Sequence, residues 1–120
     1  MHRRNYKQLI IKTLTMKSEN TEIVERAKAW LSNQYDVITR KQVQDLIDNN
    51  PDELIESFYK NLEFGTGGLR GIMGVGTNRM NTWVINNATQ GLANYLIKTF
   101  PEKAQAGQLS AVVAYDSRRF

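Results

Sequence analysis

The spacing of apolar residues along the chain predicts several amphipathic helices in its first half. The first covers Thr21 to Gln34 and carries one continuous apolar face. The second opens at Thr39, because Thr39 and Gln42 have the spacing of a capping box. The third opens at Asn50, with Pro51 in the first helical position.

The second half of the chain alternates between strand-like and helical patterns. A fourth helix opens at Asn81 or Thr82 and ends near Phe100, just before a proline, and residues 102–108 are a polar connection. We expect a short strand over Leu69–Met73, with glycines at bulge or turn positions. The apolar, β-branched run Ser110–Tyr115 predicts a buried strand. A strand, a long helix and a second strand predict an α/β layer with a right-handed crossover.

Residues 64–81, between the third and fourth helices, form a glycine-rich segment. It contains six glycines and two arginines and no acidic residue. Backbone amides that glycines leave uncovered, with an arginine fork beside them, suit a phosphate or another oxyanion. The segment follows a helix, contains no lysine and places Arg70 at the last glycine position of a dinucleotide fingerprint, so neither that fingerprint nor a P-loop fits.

The sequences of two segments resemble motifs of one enzyme family. Phe-Gly-Thr-Gly-Gly-Leu-Arg-Gly from Phe64, followed by Met-Gly-x-Gly-x-Asn-Arg-Met-Asn from Met73, resembles the N-terminal signature of the phosphohexomutases, in the phosphoglucomutase and phosphopentomutase-like branch. Ala111–Arg119 is similar to the family's strand followed by Asp-Ser-Arg. The resemblance extends from about Ile23 onward. It implies N-terminal helices followed by a βαβ portion of the first three-layer α/β/α domain, and thus an α/β fold.

The resemblance also implies an activity and a set of ligands. The family transfers phosphate within a sugar phosphate, between C1 and C6 of glucose or C1 and C5 of a pentose, through a phosphoserine and a sugar 1,6-bisphosphate, with Mg²⁺. In this scheme the chain supplies phosphate-binding residues for a phosphosugar substrate. They are Thr66, Gly67, Gly68, Arg70 and Arg118.

The family's phosphoserine loop and magnesium loop have no counterpart among the 120 residues. We therefore expect an N-terminal mutase fragment that contains no catalytic residue and no metal ligand, lacks turnover by itself, and has the remainder of the mutase chain as its partner. A lone βαβ unit would also leave sheet edges uncovered. The alternative is a non-catalytic module that binds a phosphorylated ligand or pairs with a partner chain through an open sheet edge.

Individual polar residues of these motifs have competing interpretations. Arg70 is the strongest candidate, although an arginine at the surface more commonly pairs with an acid. For Arg79, packing within its turn is at least as well supported as ligand contact. Asp116 and Arg118 are expected to pair: either the pair orients Arg118 toward phosphate, or it is a structural ion pair. We expect Ser117 to brace the strand end, since one adjacent aspartate does not activate a serine.

Charge and composition narrow the remaining function classes. The net charge of +4 belongs to residues 1–16, whereas residues 17–120 contain twelve basic and twelve acidic residues. Residues 17–120 thus have no basic stripe for nucleic acid. We call residues 1–16 the leader; its apolar run, Leu9–Ile11, is too short for a membrane span. The absence of cysteine excludes a disulfide framework. The leader is an over-extended start, a disordered tail or a transit peptide; we favour the first, with a cytoplasmic domain over residues 17–120.

Overall fold

The computed structural model describes residues 3–115, and the chain divides into two units, Met1–Val84 and Ile85–Phe120. The first unit contains three helices and a small hairpin, and the helix that follows begins within it. The elements in chain order are α1 (Arg3–Lys28), a 3₁₀ turn (Ala29–Leu31), α2 (Val37–Asn49), α3 (Pro51–Phe58), β1 (Phe64–Gly65), β2 (Gly68–Leu69), α4 (Thr82–Thr99) and α5 (Pro101–Gln105). No helix in the described range has both the length and the apolarity to cross a membrane.

The core of the first unit lies where α1, α2 and α3 meet. Its fully or nearly buried apolar residues are Ile23, Ala27, Trp30, Val43, Leu54 and Phe58. Aromatic rings extend this core toward the loop after the 3₁₀ turn: Trp30 stacks on Tyr35 with ring centroids 4.6 Å apart and meets Phe58 edge to face at 5.5 Å. Because large aromatic rings bury much apolar area, this cluster fixes α3 and the segment that leaves it.

The first helix begins earlier than the apolar pattern predicts. We expected a start at Thr21, but α1 is continuous from Arg3, and residues 6–22 are all exposed. The segment contains neither glycine nor proline and many strong helix formers, so it stays helical without burying a face. The three interpretations of the leader, residues 1–16, stay open. The domain boundary after residue 16 stays a prediction.

The helix starts are fixed by side-chain caps. For α2 the cap is Asp36 and not Thr39 as predicted: Asp36 Oδ1 accepts from the Thr39 amide at 2.9 Å, and Thr39 Oγ1 donates to Oδ2 at 2.7 Å. The carboxylate accepts two bonds where Thr39 would have offered one hydroxyl, and the helix starts at Val37. The predicted start of α3 is confirmed, since Asn50 Oδ1 accepts from the Glu53 amide at 3.3 Å.

The strands are shorter than predicted. β1 and β2 pair antiparallel, Phe64 with Leu69 and Gly65 with Gly68, so the strand expected over Leu69–Met73 is only partly formed. Ser110–Tyr115 forms no strand. A strand exchanges backbone hydrogen bonds with a neighbour, and within residues 3–115 no strand lies beside this segment.

The described part of the second unit contains most of α4, then α5 and an irregular segment that follows it. Residues 102–108 were predicted as a connection, but Pro101 opens the five-residue helix α5. Proline suits a first helical position, because its fixed φ is helical and its missing N–H would be unpaired there. The helix ends at Gln105, and Gly107 takes a positive φ of +65° just beyond it.

Candidate functional site

The structure divides the glycine-rich segment into two parts with different surroundings. We call residues 63–71 the Arg70 hairpin and residues 74–81 the clamp. The Arg70 hairpin contains β1, a turn at Thr66 and Gly67, β2 and Arg70, and most of it is exposed. The clamp packs along the C-terminal end of α3. The Arg70 hairpin is thus the more exposed of the two parts.

The Arg70 hairpin brings four of the five predicted phosphate-binding residues into one short turn. Thr66 and Gly67 occupy the turn itself, and both are exposed. Gly68 has a φ of +112°, a conformation that residues with a side chain rarely adopt, and nothing lies within 4 Å of where its Cβ would be. The tip of the hairpin is thus open backbone that a ligand can approach closely.

Arg70 follows β2 directly and is exposed. Its guanidinium makes no hydrogen bond or ion pair with any residue of the described range 3–115. A guanidinium has five N–H donors in a rigid fork that matches phosphate or carboxylate oxygens. Arg70 and the open turn before it can therefore receive an oxyanion from solvent.

The clamp satisfies the C-terminal carbonyl groups of α3. The last carbonyls of a helix lack partners within it, and positive charge is favourable beside them. The Asn78 amide donates to the Ser57 oxygen at 2.9 Å, and Asn78 Nδ2 donates to the Glu56 oxygen at 2.9 Å. From α1, Arg26 Nη1 donates to the Phe58 oxygen at 2.7 Å. The clamp is thus a capping structure for α3.

Arg79 is the buried centre of the clamp. It is only 6% exposed, and its Nη2 and Nε lie 2.8 and 3.3 Å from Glu53 Oε1. Its Nη1 donates to the Glu56 oxygen at 3.3 Å. The hydrogen bond from Arg79 lowers the pKa of Glu53 below its ordinary value, although burial acts in the opposite direction. Arg79 therefore packs within its turn, as one of its two interpretations predicted.

A shallow cavity of about 250 Å³ lies beside this ion pair. Its walls include Gln42 and Asp45 of α2, Glu53 and Ser57 of α3, and Gly74 and Arg79 of the clamp. Since the Arg79 guanidinium is already bonded to Glu53 and to a carbonyl oxygen, it is not aimed into the cavity as an anion receptor. The open Arg70 hairpin remains the better candidate site.

Gly76 shows that glycines of the segment also serve packing. Its φ is +119°, and a Cβ there would lie 2.9 Å from the carbonyl carbon of Ser57 and still closer to the carbonyl oxygen. A side chain would push the clamp away from α3. The close approach that the sequence suggested for a ligand is, at this position, an approach to a helix.

Asn81 and Glu53 have roles that the sequence did not reveal. Asn81 was one of the two predicted caps of α4, beside Thr82, and its Oδ1 does accept from the Val84 amide at 2.9 Å. Its Nδ2 also donates to the Gly74 and Gly76 oxygens, both at 2.9 Å, so one side chain ties the clamp to α4. Glu53 lies 26 residues before Arg79, and no local pattern could have signalled that pair.

Two further expectations concern other parts of the site. Arg118 and its neighbours Asp116 and Ser117 lie outside the described residues, so their roles stay predictions. For magnesium, residues 3–115 contain no group of three acidic, histidine or cysteine side chains that could hold a metal ion. The described residues therefore do not fit Mg²⁺.

Comparisons with known proteins agree with these features. The family profile described as Phosphoglucomutase/phosphomannomutase, alpha/beta/alpha domain I matches residues 61–120. A human phosphopentomutase is 37% identical over 101 residues, which cover 83% of this chain and 16% of the relative. A phosphoribomutase of Saccharomyces cerevisiae is 46% identical over 66 residues, covering 55% and 10%. A human glucose 1,6-bisphosphate synthase is 34% identical over 90 residues, covering 74% and 14%.

The chain thus spans about one sixth of the first relatives' length or less, and no solved structure matches it. The profile match covers the Arg70 hairpin and the clamp together. The α/β class is confirmed by this match and by a helix-rich chain with a small sheet. The chain therefore belongs to the phosphohexomutase family, as an N-terminal part of its first α/β/α domain.

Proposed function

We propose that the chain contributes a phosphate-binding wall to a phosphosugar mutase, an isomerase that moves phosphate between two positions of one sugar. The observation that carries the proposal is the Arg70 hairpin, an open glycine turn followed by an arginine without a protein partner in residues 3–115. The family membership supports the activity class. The named relatives, a phosphopentomutase, a phosphoribomutase and a glucose 1,6-bisphosphate synthase, support a sugar phosphate as ligand.

In this proposal the hairpin residues bind the phosphate group and orient it, and residues in other parts of a mutase carry out the phosphate transfer. Arg70 places two N–H groups on the non-bridging oxygens of a phosphate, which fixes the group's orientation as well as neutralising charge. The backbone at Gly67 and Gly68 and the Thr66 hydroxyl are candidate further donors. Arg118 is a second candidate cation. A phosphate held in this way is positioned for transfer, and the gain comes from orientation and charge stabilisation.

The relatives leave the sugar open between a pentose and a hexose phosphate. The hairpin supports neither, because it offers contacts to phosphate oxygens and none specific to a sugar ring. We propose a sugar bisphosphate as the ligand that the hairpin meets, whereas any ligands for magnesium would come from the remainder of a mutase chain. The chain of 120 residues is expected to have no turnover, since its candidate residues bind and none is placed as a nucleophile.

The proposal is tested by measuring the equilibrium binding of glucose 1,6-bisphosphate to the 120-residue chain, with ³¹P NMR of the ligand as the readout. Arg70→Gln is expected to lower affinity by about tenfold, the ratio for about 1.4 kcal/mol of charge-assisted hydrogen bonding. Arg70→Lys keeps the charge but loses the fork, so its affinity is expected to lie between those of the parent and Arg70→Gln.

Lys41→Gln is the matched control, since it removes one positive charge from an exposed position on α2. Equal losses in Lys41→Gln and Arg70→Gln would contradict the proposal, because they would report net charge and not a site. Conversion of ribose 1-phosphate or glucose 1-phosphate by the 120-residue chain would contradict the expected lack of turnover.

A further inference from the structure

The two ends of the Arg70 hairpin are both fastened to the clamp. Before the hairpin, the Leu62 amide donates to the Thr77 oxygen at 2.8 Å. After it, the Met80 amide donates to the Ile72 oxygen at 2.8 Å, and Met73 and Met80 form a parallel bridge. The residues at the two ends of the hairpin are thus held by backbone hydrogen bonds to residues 77 and 80.

The ends also contact each other directly. A Cβ on Gly71 would lie 2.8 Å from Leu62 Cδ1, so the Leu62 side chain fills the space beside that glycine. Apart from this contact and the two clamp bonds, the hairpin has little support, because its tip is exposed. Its orientation is therefore set mainly where residues 77 to 80 sit on α3.

Arg79 lies between the two fastening points and links the clamp to α3 through a charged pair, beside the two bonds of Asn78. Its guanidinium bonds the Glu53 carboxylate from two nitrogens and the Glu56 carbonyl oxygen from the third. The Arg79 side chain is 7% exposed, so water competes little at its end of the pair. A charged, three-point bond of this kind restricts rotation as well as translation of the backbone that carries it.

We propose that Arg79 is a positioning residue that fixes the conformation of the Arg70 hairpin. The pair of Arg79 with Glu53 holds residues 77 and 80 on α3, and these hold both ends of the hairpin. The part of this inference that concerns ligand binding rests on the proposed phosphate-binding function. A turn ordered before binding loses less conformational freedom when the phosphate arrives, so its affinity is higher.

The test compares ¹⁵N relaxation of the full 120-residue chain and its variants without ligand. In Arg79→Lys, the ammonium lacks the planar fork that reaches the Glu53 carboxylate and the Glu56 carbonyl oxygen together. Order parameters at residues 65–70 are therefore expected to fall from about 0.85 toward 0.6. Glu53→Gln breaks the same pair from the other side and is expected to act in the same direction. Asp52→Asn, an exposed neighbour on α3, is the control and is expected to change nothing there.

Order parameters in α2 monitor general loosening, so a merely structural effect would lower them as well. Unchanged hairpin order in both Arg79→Lys and Glu53→Gln would overturn the inference, and so would an equal fall in α2 and in the hairpin. A second variant keeps the test valid if Arg79→Lys unfolds, because Glu53→Gln removes the charge at a side chain that is 44% exposed and keeps an amide oxygen as acceptor.

Titration with inorganic phosphate then connects positioning to binding. Arg79→Lys is expected to weaken phosphate binding at least threefold in the parent and to have no further effect in an Arg70→Gln background. If Arg79→Lys weakened phosphate binding equally with and without Arg70→Gln, the inference that Arg79 acts through Arg70 would be overturned. If no variant, nor the parent, bound phosphate, the proposed function would fall, while the relaxation result would still decide whether Arg79 fixes the hairpin.

Discussion

At the scale of single residues, Gly76 is where the backbone leaves the least room. Gly76→Ala is expected to lower the free energy of unfolding by about 2–5 kcal/mol, because it combines an unfavourable φ with a clash against α3. Urea denaturation followed by tryptophan fluorescence measures the change.

The control for Gly76→Ala is Gly67→Ala. Nothing lies within 4 Å of the Cβ that this substitution adds, and the φ of Gly67 is not positive. Its effect on the free energy of unfolding is expected to stay within about 0.5 kcal/mol. Similar losses at both positions would show that the contact of the clamp with α3 is not what Gly76 protects.

The ion pair of Glu53 with Arg79 predicts a pH dependence. Because the folded-state pKa of Glu53 lies below its ordinary value of 4.5, the pair contributes stability that is complete above pH 4.5 and is lost as pH falls through the folded pKa. Glu53→Gln is expected to cost about 1 kcal/mol at pH 7, a modest value because the Glu53 side chain is 44% exposed.

Urea denaturation of the parent and Glu53→Gln between pH 7 and pH 3 measures this difference in the free energy of unfolding. The difference is expected to shrink steadily below pH 4.5. A constant difference across this range would mean that the carboxylate charge does not carry the contribution of Glu53.

The sequence could identify residues whose role depends on neighbours along the chain. It predicted Asn50 as one cap and Asn81 or Thr82 as another, and both asparagines accept from amides three residues later. It also grouped Thr66, Gly67, Gly68 and Arg70, which one tight turn brings together. The partnership of Arg79 with Glu53 depends on how α3 and the clamp fold onto each other, so local spacing held no signal for it.

At the scale of elements, α4 offers a direct test of helix propensity. Gly91 lies inside α4 at an exposed position, and nothing is within 4 Å of its Cβ site. Gly91→Ala is expected to raise the free energy of unfolding by about 0.5–1 kcal/mol, since alanine has less backbone freedom to lose in the helix. Urea denaturation followed by far-UV circular dichroism measures the gain. A loss of stability would mean that this face of α4 is packed in solution.

Helices were easier to predict than strands for a physical reason. A helix satisfies its hydrogen bonds within one segment, so the periodicity of α2, α3 and α4 and the caps of α3 and α4 carried most of the information. A strand depends on a partner remote in sequence, and the β-branched pattern of Ser110–Tyr115 cannot state whether one is present. The early start of α1 was missed because the apolar pattern reports burial, and that stretch is helical but exposed.

At the scale of the whole molecule, Leu109–Tyr115 predicts self-association. The segment carries no charge, Val112 and Tyr115 are 99% and 90% exposed, and within residues 3–115 its backbone has no strand partner. Uncharged, β-branched segments with open backbone pair readily with copies of themselves. The 120-residue chain is therefore expected to form concentration-dependent oligomers, seen in sedimentation velocity together with an intermolecular β-sheet band in the infrared spectrum.

Val113→Lys is expected to reduce this association, because it places like charges on paired copies. Val37→Lys is the matched control, since Val37 is also an exposed valine but lies on α2. Equal suppression by both variants would attribute the association to surface hydrophobicity in general. A parent chain that stays monomeric at all concentrations would contradict the prediction itself.

The central claim is that the Arg70 hairpin is the phosphate-binding element of this phosphohexomutase-family chain. The most direct measurement is a titration of the ¹⁵N-labelled 120-residue chain with glucose 1,6-bisphosphate, followed by amide chemical shifts. Saturable shifts concentrated at residues 66–70, and absent from the same titration of Arg70→Gln, are the predicted result. Shifts confined to the basic leader, or no saturable shift in the hairpin, would contradict the claim.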